Sequence, residues 1–206
     1  MKTQIFSEKQ IQEAAAFLKR GEIVAFPTET VYGLGGGLFN ISAIEKIYEA
    51  KGRPKAKPLS AHISELGQVE QIASEIPTEF YLLAEKFFPG PLTLILKKQA
   101  HIPDLVSAGT NTIGIRFPDH PIALKLIKEA GSPLVAPSAN SSGRPSPVSC
   151  GQVLQDLEGK IAAVIDGGRC PIGIDSTVFD LVSFTLLREG KITKAEIEAT
   201  IGRKIR

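Results

Sequence analysis

The chain is short of most features that announce a function. Its 206 residues include no Trp, one Met, two Cys and three His. Cys150 and Cys170 stand far apart, with no C-x-x-C and no neighbouring His pair, which argues against a zinc site. A chain of this length can hold a core without covalent staples, so the two read as reduced thiols and not as a disulfide framework. Neither sign of charge dominates: 24 Lys and Arg face 22 Asp and Glu, a net charge of +2, which excludes a polycationic tail but leaves room for a local basic patch. No apolar run approaches the roughly 18–20 residues that span a bilayer. The opening Met-Lys-Thr-Gln-Ile-Phe-Ser-Glu lacks a signal-peptide core, so a cytoplasmic protein without membrane contact is expected. The nucleotide fingerprints are missing as well. Gly33–Gly37 does not continue into G-x-G-x-x-G, because Leu38 interrupts it, and there is no Walker pattern. No Ser-His-Asp, H-E-x-x-H or paired-carboxylate arrangement emerges, which leaves covalent catalysis and metal hydrolysis without support.

What is present is a globular balance of 43% apolar and 22% charged residues, incompatible with wholesale disorder. Periodicity predicts an amphipathic helix from Ser7 to Arg20, capped by Ser7 and Gln10 and stopped by Gly21. Further helices are expected over Ser42–Ala50, over roughly 64–75 and 78–88, over Pro121–Ala130, and after the Thr193/Glu196 cap. Apolar runs at 23–26, 59–63, 92–96, 112–117, 134–136 and 162–165 read as strands, and 176–182 with 184–188 as a hairpin. Helices alternate with strands, yet 92–97/112–117 and 176–182/184–188 lack helical crossovers. The expected fold class is therefore α/β, one domain over residues 1–206, with a mixed sheet and helices on its faces.

Polar residues collect in loops at strand ends, where ligands of α/β proteins usually bind. Pro27-Thr-Glu-Thr-Val-Tyr-Gly-Leu-Gly35 places hydroxyls and a carboxylate after a buried strand, then glycines suited to tight turning or to close backbone approach. Lys51-Gly-Arg-Pro-Lys-Ala-Lys-Pro-Leu59 gathers four cations with no acid among them, stiffened by two prolines. Such a loop suits a triphosphate, with nucleic-acid phosphate as the open alternative and a solvated basic loop as the plain one. Ala136-Pro-Ser-Ala-Asn-Ser-Ser-Gly-Arg-Pro-Ser-Pro147 is a long Ser/Asn loop without the nucleophile elbow of a hydrolase. Asp166 to Val178 brings glycines, Asp166 as a turn former or magnesium ligand, and Ser176, with Arg188 at the end of the next strand. His62 reads as a satisfied core histidine, and His101 and His120 as surface residues. Arg116 either snorkels to the surface or holds a carboxylate.

Together these segments resemble the YrdC-like L-threonylcarbamoyladenylate synthases, TsaC type. The resemblance runs in order from about Gly21 to Gly190. It rests on Phe26–Gly35, the K-x-R of Lys51 and Arg53, Pro58-Leu59 through His62-Ile63, and Pro89-Gly-Pro-Leu-Thr93. It continues through Gly114-Ile-Arg-Phe-Pro118, the S-x-N of Ser138 and Asn140, Ser176-Thr177-Val178, and Leu187-Arg-Glu-Gly190. Glu189 stands where family members often carry Pro, and the resemblance implies the short form, expected to lack the extra C-terminal domain. The resemblance implies a twisted mixed sheet with a basic concave cleft. It implies a nucleotidyltransferase that joins L-threonine, bicarbonate and ATP with Mg²⁺ into threonylcarbamoyl-AMP, for N6-threonylcarbamoyladenosine in tRNA. Lys51 and Arg53 would be catalytic. Lys51, Arg53, Lys57, Thr112, Ser138, Asn140, Ser146 and Arg188 would hold ATP, and Thr30, His62, Arg116 and Ser176 would hold threonine, with no protein-bound metal. Implied partners are tRNA or double-stranded RNA and the downstream tRNA-threonylcarbamoyl transferase proteins. The rival expectation is a non-catalytic double-stranded RNA or tRNA binder of the same fold.

Overall fold

A computed structural model describes residues 2–206. The chain begins with β1 (Gln4–Ser7), α1 (Ile11–Lys19), β2 (Val24–Phe26), β3 (Gly33–Gly37), α2 (Ile41–Lys51) and β4 (Ser60–His62). There follow α3 (Val69–Ile72), β5 (Ala73–Ser74), α4 (Thr78–Phe87), β6 (Leu92–Lys98), α5 (Asp104–Ser107), β7 (Thr112–Arg116) and α6 (Pro121–Ala130). It closes with β8 (Leu134–Val135), α7 (Cys150–Leu157), β9 (Ala163–Asp166), β10 (Thr177–Asp180), β11 (Thr185–Arg188) and α8 (Lys194–Ile201).

All strands join one mixed sheet in the order β1-β9-β2-β3-β8-β4-β7-β6-β10-β11, with β5 added on β6. Both pairs expected to lack helical crossovers are antiparallel: β6 with β7, and β10 with β11. Alternation along the strands sorts side chains onto two faces. Val24, Phe26, Leu134, Ala163 and Ile165 pack beneath α1 and α6 with Ile11, Leu18, Leu126 and Ile127. Ala25, Val135 and Val164 turn the other way, into the larger cluster that includes Ile44 and Ile47 of α2 and Leu83 of α4. The expected apolar face of the first helix, Ile11, Ala14, Ala15 and Leu18, is the buried one.

Three local expectations are corrected, and one open alternative is decided. The Ser7–Arg20 helix begins later: residues 4–7 form an edge strand on β9, and Glu8–Gln10 make a single 3₁₀ turn in which Gln10 Oε1 accepts from Ser7 N. The helix over 64–75 becomes a 3₁₀ turn, the one-turn α3 and the strand β5, because Ala73 and Ser74 pair with Lys98 and Lys97. Of the two readings of the glycine cluster, close backbone approach holds: it forms the interior strand β3. A Cβ at Gly35 would stand 2.8 Å from the Phe26 ring, and one at Gly36 would stand 3.1 Å from Ile47 Cδ1, so this strand lies against bulky neighbours only without side chains. The helix α7 was not expected at all. It starts at a Ser149 cap that accepts from Gln152 N.

Gly190 shows how closely the last loop is packed. A Cβ there would lie 2.4 Å from the Asp175 carbonyl oxygen and 2.8 Å from Thr177 N, both rigid backbone atoms. Gly190→Ala should therefore destabilise the fold by about 1–3 kcal/mol, read as a lower denaturant midpoint at unchanged slope. An unchanged midpoint would mean that this loop has room.

Candidate active site

Register across neighbouring strands builds the floor of one polar cleft. In β4, β7 and β6, His62 lies opposite Arg116, and Arg116 opposite Thr93. Ser60 and His62 share a face by the two-residue repeat of a strand, as do Gly114 and Arg116. Ser60, His62, Thr93 and Arg116 all line the cleft. Gly114 gives this row its depth: a Cβ would lie 2.9 Å from Ser60 Oγ and 3.1 Å from Thr93 Cγ2. Ser176, just before β10, adds its hydroxyl to that of Thr93 at 2.8 Å.

Arg116 is 5% exposed and pairs with Glu29, itself 6% exposed, at 2.9 Å. The same Nη2 donates to Thr30 Oγ1 at 2.6 Å and to Thr28 Oγ1 at 3.4 Å. Thr28 orders this loop by accepting from Thr30 N and Val31 N and donating to the Val31 carbonyl. Some polar capacity remains unused. Arg116 Nε, His62 Nδ1 and both Glu29 oxygens are buried without a hydrogen-bond partner. Groups of this kind are rare in finished cores and common where a ligand completes the bonding. His62 is therefore not the satisfied core histidine expected from its strand. Burial first, and then the Arg116 charge, push its imidazole down to about 3, so it is neutral near pH 7. His120 is likewise no free surface residue, since its Nδ1 is buried and unpartnered, whereas His101 is exposed.

The rim is cationic. Arg53 and Arg188 line the cleft with Ser138, Ser176 and Asp175. Gly52 ends α2 in the left-handed region, at φ 58°, and turns Arg53 out of the helix. The Arg53 guanidinium is steadied by the Lys57 and Pro58 carbonyls. Arg188 donates through Nε to the Ser176 carbonyl at 2.9 Å and through Nη2 to Ser176 Oγ at 3.3 Å.

Lys51 is not on the rim. It is 3% exposed, and its ammonium donates to the Ser138 carbonyl and to the carbonyl and Oδ1 of Asn140, the latter two at 2.6 and 3.3 Å. The Lys51 carbonyl accepts from Ser142 N. The S-x-N loop is thus fastened to the end of α2, and Asp156 holds its far side through Ser141 N and Arg144. Burial, followed by the Arg53 charge, lowers the Lys51 ammonium to about 7.

The structure brings Arg53, Ser138, Arg188, His62, Arg116 and Ser176 to the cleft. Thr30, fully buried, stands behind Arg116, and Asn140 is buried beside Lys51. Ser146 reaches the rim only through Asp175. Two expected residues lie elsewhere. The Lys57 side chain is exposed, and its contribution is the carbonyl that steadies Arg53. Thr112 opens β7 opposite Lys97, four residues from Arg116 and hence about 13 Å along the strand. Asp166 acts as a turn former, accepting from Gly168 N. Sequence reasoning passed over Glu29, Ser60, Thr93 and Asp175 as site residues. A carboxylate in a Thr-rich or Gly-rich loop looks like a turn former until the sheet sets its partner beside it.

This arrangement defines an α/β protein with a recessed cleft of about 140 Å³, hydrogen-bonding at its floor and cationic at its rim. The chain belongs to the Sua5/YciO/YrdC family, described as telomere recombination, whose pattern matches residues 16–190. It is 49% identical over 197 residues to the threonylcarbamoyl-AMP synthase of Pyrococcus abyssi and 50% identical over 199 residues to that of Bacillus subtilis. Each match covers 95% of this chain and 58% of the relative, so the chain spans under two thirds of their length. The solved P. abyssi Sua5 complexed with L-threonine superposes with a TM-score of 0.96 at 48% identity, covering 99% of this chain and 62% of that one.

The neutral His62 has a measurable consequence. Its folded value lies below the ordinary 6.5, so its contribution to stability is present above pH 6.5 and is lost as pH falls toward 3. Between pH 7 and about pH 4.5 the wild type should lose roughly 2 kcal/mol more than His62→Gln, measured by urea unfolding at both pH values. Equal losses would mean that His62 keeps its ordinary value in the folded protein.

Proposed function

We propose that the chain is an L-threonylcarbamoyladenylate synthase, converting L-threonine, bicarbonate and ATP into threonylcarbamoyl-AMP, pyrophosphate and water. The observation that carries this reading is the cleft floor, where buried Arg116 and His62 keep unpartnered nitrogens beneath a rim carrying Arg53 and Arg188. A zwitterionic amino acid suits the floor: its carboxylate matches Arg116, and its small polar groups match His62, Ser176 and Thr93. Thr30 serves by holding Arg116. A polyphosphate suits the rim, with Arg53, Arg188 and the Ser138 hydroxyl as donors, and Mg²⁺ as the counter-ion that the nucleotide brings with it. Lys51 and Asn140 hold the loop that presents Ser138.

The chemistry needs no protein nucleophile. The neutral amine of threonine attacks the bicarbonate carbon, one N–H proton leaves with the displaced hydroxide as water, and a carbamate remains. A carbamate oxygen then attacks the α-phosphorus of ATP, and the bond to pyrophosphate breaks. The protein supplies proximity on adjacent strands and positive charge where negative charge gathers in transfer. Its thiols are unsuited to attack, since burial raises both Cys150 and Cys170 to about 11. The product is a mixed anhydride that a downstream tRNA-threonylcarbamoyl transferase would consume. Against the RNA-binding alternative, phosphate-backbone recognition would use the cations but has no need of a buried His62–Arg116–Thr93 row.

The test is pyrophosphate release by the purified chain with ATP, Mg²⁺, bicarbonate and threonine. Release that depends on both threonine and bicarbonate is expected, and release indifferent to either would refute the reading. Arg53→Ala should weaken ATP binding by about 10–100-fold while threonine binding is retained, as measured by calorimetry with each ligand alone. Unchanged ATP affinity would remove Arg53 from the nucleotide site.

A further inference from the structure

The cationic rim contains one residue of the wrong sign for a triphosphate. Asp175 is the only carboxylate among the residues that line the cleft. Ser146 Oγ donates to its two oxygens at 3.1 and 3.2 Å, and Arg188 Nη1 stands 3.5 Å from Oδ2. Its field reaches Lys51, where it favours the ammonium. The side chain keeps 35% of its surface exposed, so it is not sealed into a structural ion pair. Its position is fixed from behind: Thr177 Oγ1 donates to the Ile192 carbonyl and accepts from Gly190 N, and Gly190 lies against the Asp175 carbonyl.

A bare nucleotide triphosphate carries several negative charges, and a fixed carboxylate within the same few ångströms opposes it. A divalent cation reverses that sign. Mg²⁺ takes one or two protein carboxylates together with phosphate oxygens and fills the rest of its octahedron with water. Asp175 offers the hard oxygen donor such an ion prefers, in a place that water can reach. Among the described residues, no three His, Cys, Asp or Glu side chains converge into a metal cage, so a cation here would need the nucleotide's oxygens to complete its shell.

We propose that Asp175 is the protein's contact for the divalent cation carried on the nucleotide phosphates, and that through it the cleft selects the magnesium complex over free nucleotide. This rests on the nucleotide reading given above.

The experiment is calorimetric titration of the full chain with the non-hydrolysable probe α,β-methylene-ATP, in excess MgCl₂ and in EDTA, with no turnover required. The wild type should bind the magnesium form more tightly by about tenfold. Asp175→Asn should bring that ratio close to one, weakening the magnesium form and strengthening the free form, while Asp175→Glu should keep the preference. Two results would overturn the proposal. Equal strengthening of both forms in Asp175→Asn would make Asp175 only an anion that blocks Arg188 and Ser146. An unchanged ratio would make it irrelevant to the cation. If the wild type binds the probe in neither condition, the nucleotide reading itself fails. Should Asp175→Asn not fold, Ser146→Ala frees the same carboxylate, and its magnesium preference should equal or exceed that of the wild type; a lower preference counts against the proposal.

Discussion

The ion pair between Arg116 and Glu29 is the constraint on which the cleft is organised. Bringing two opposite charges out of water costs several kcal/mol per ion, and mutual attraction offsets that only with good geometry and further hydrogen bonds. Here the geometry is good on one side and incomplete on the other. Nη2 reaches Glu29, Thr30 and Thr28, whereas Nε and the Glu29 oxygens find no hydrogen-bonded partner. Removing either member would leave the other charge buried and unpaired, a loss of about 3–5 kcal/mol. The Thr28–Val31 loop and the end of β7 are therefore held by one electrostatic arrangement, whose positive end also disfavours a charged His62 imidazole beside it. A strand of this sheet could have ended in an apolar residue; the presence of the pair marks a place where bonding capacity has been kept in reserve.

The sheet turns that local arrangement into a site. β4 and β7 run parallel and β6 antiparallel to them, so His62, Arg116 and Thr93 align although they are distant in sequence. Parallel pairing of β10 with β6 then carries Ser176 to the edge of the row. The floor residues sit on strands buried in the larger core and have little freedom to shift. Of the rim residues, Arg53 sits on a loop and Arg188 at the end of β11, and each is anchored by carbonyls: Arg53 by Lys57 and Pro58, and Arg188 by Ser176. Rigid floor and tethered rim together pre-organise donors, which is how a site without a nucleophile can stabilise charge transfer.

Much of this was legible in the sequence where a local period or cap decides the outcome. The face of α1, the αL stop at Gly131 and the Thr193/Glu196 box stand as expected. What was not legible depends on partners far along the chain. β5 exists because β6 offers an edge, and β3 is a strand because Phe26 and Ile47 fill the space that its side chains would occupy. The same division runs through the site. Arg116 and Ser176 could be marked from motif position, but the burial of Glu29 and the placing of Asp175 on the rim follow from the sheet register and from tertiary packing. Thr112 likewise takes its place from the register, opposite Lys97 at the far end of β7 from Arg116.

Lys51 carries a consequence for how the two motifs can vary. Its ammonium binds the Ser138 and Asn140 carbonyls directly, and backbone carbonyls are present whatever side chains stand at those positions. The K-x-R and S-x-N segments are therefore one mechanical unit with two sequence labels. In a double-mutant cycle, residues joined in this way are non-additive: once Lys51 has been removed, a further change at Asn140 has less left to disturb. Loss at either end loosens the same loop, so an assay of one segment alone also reports on the other.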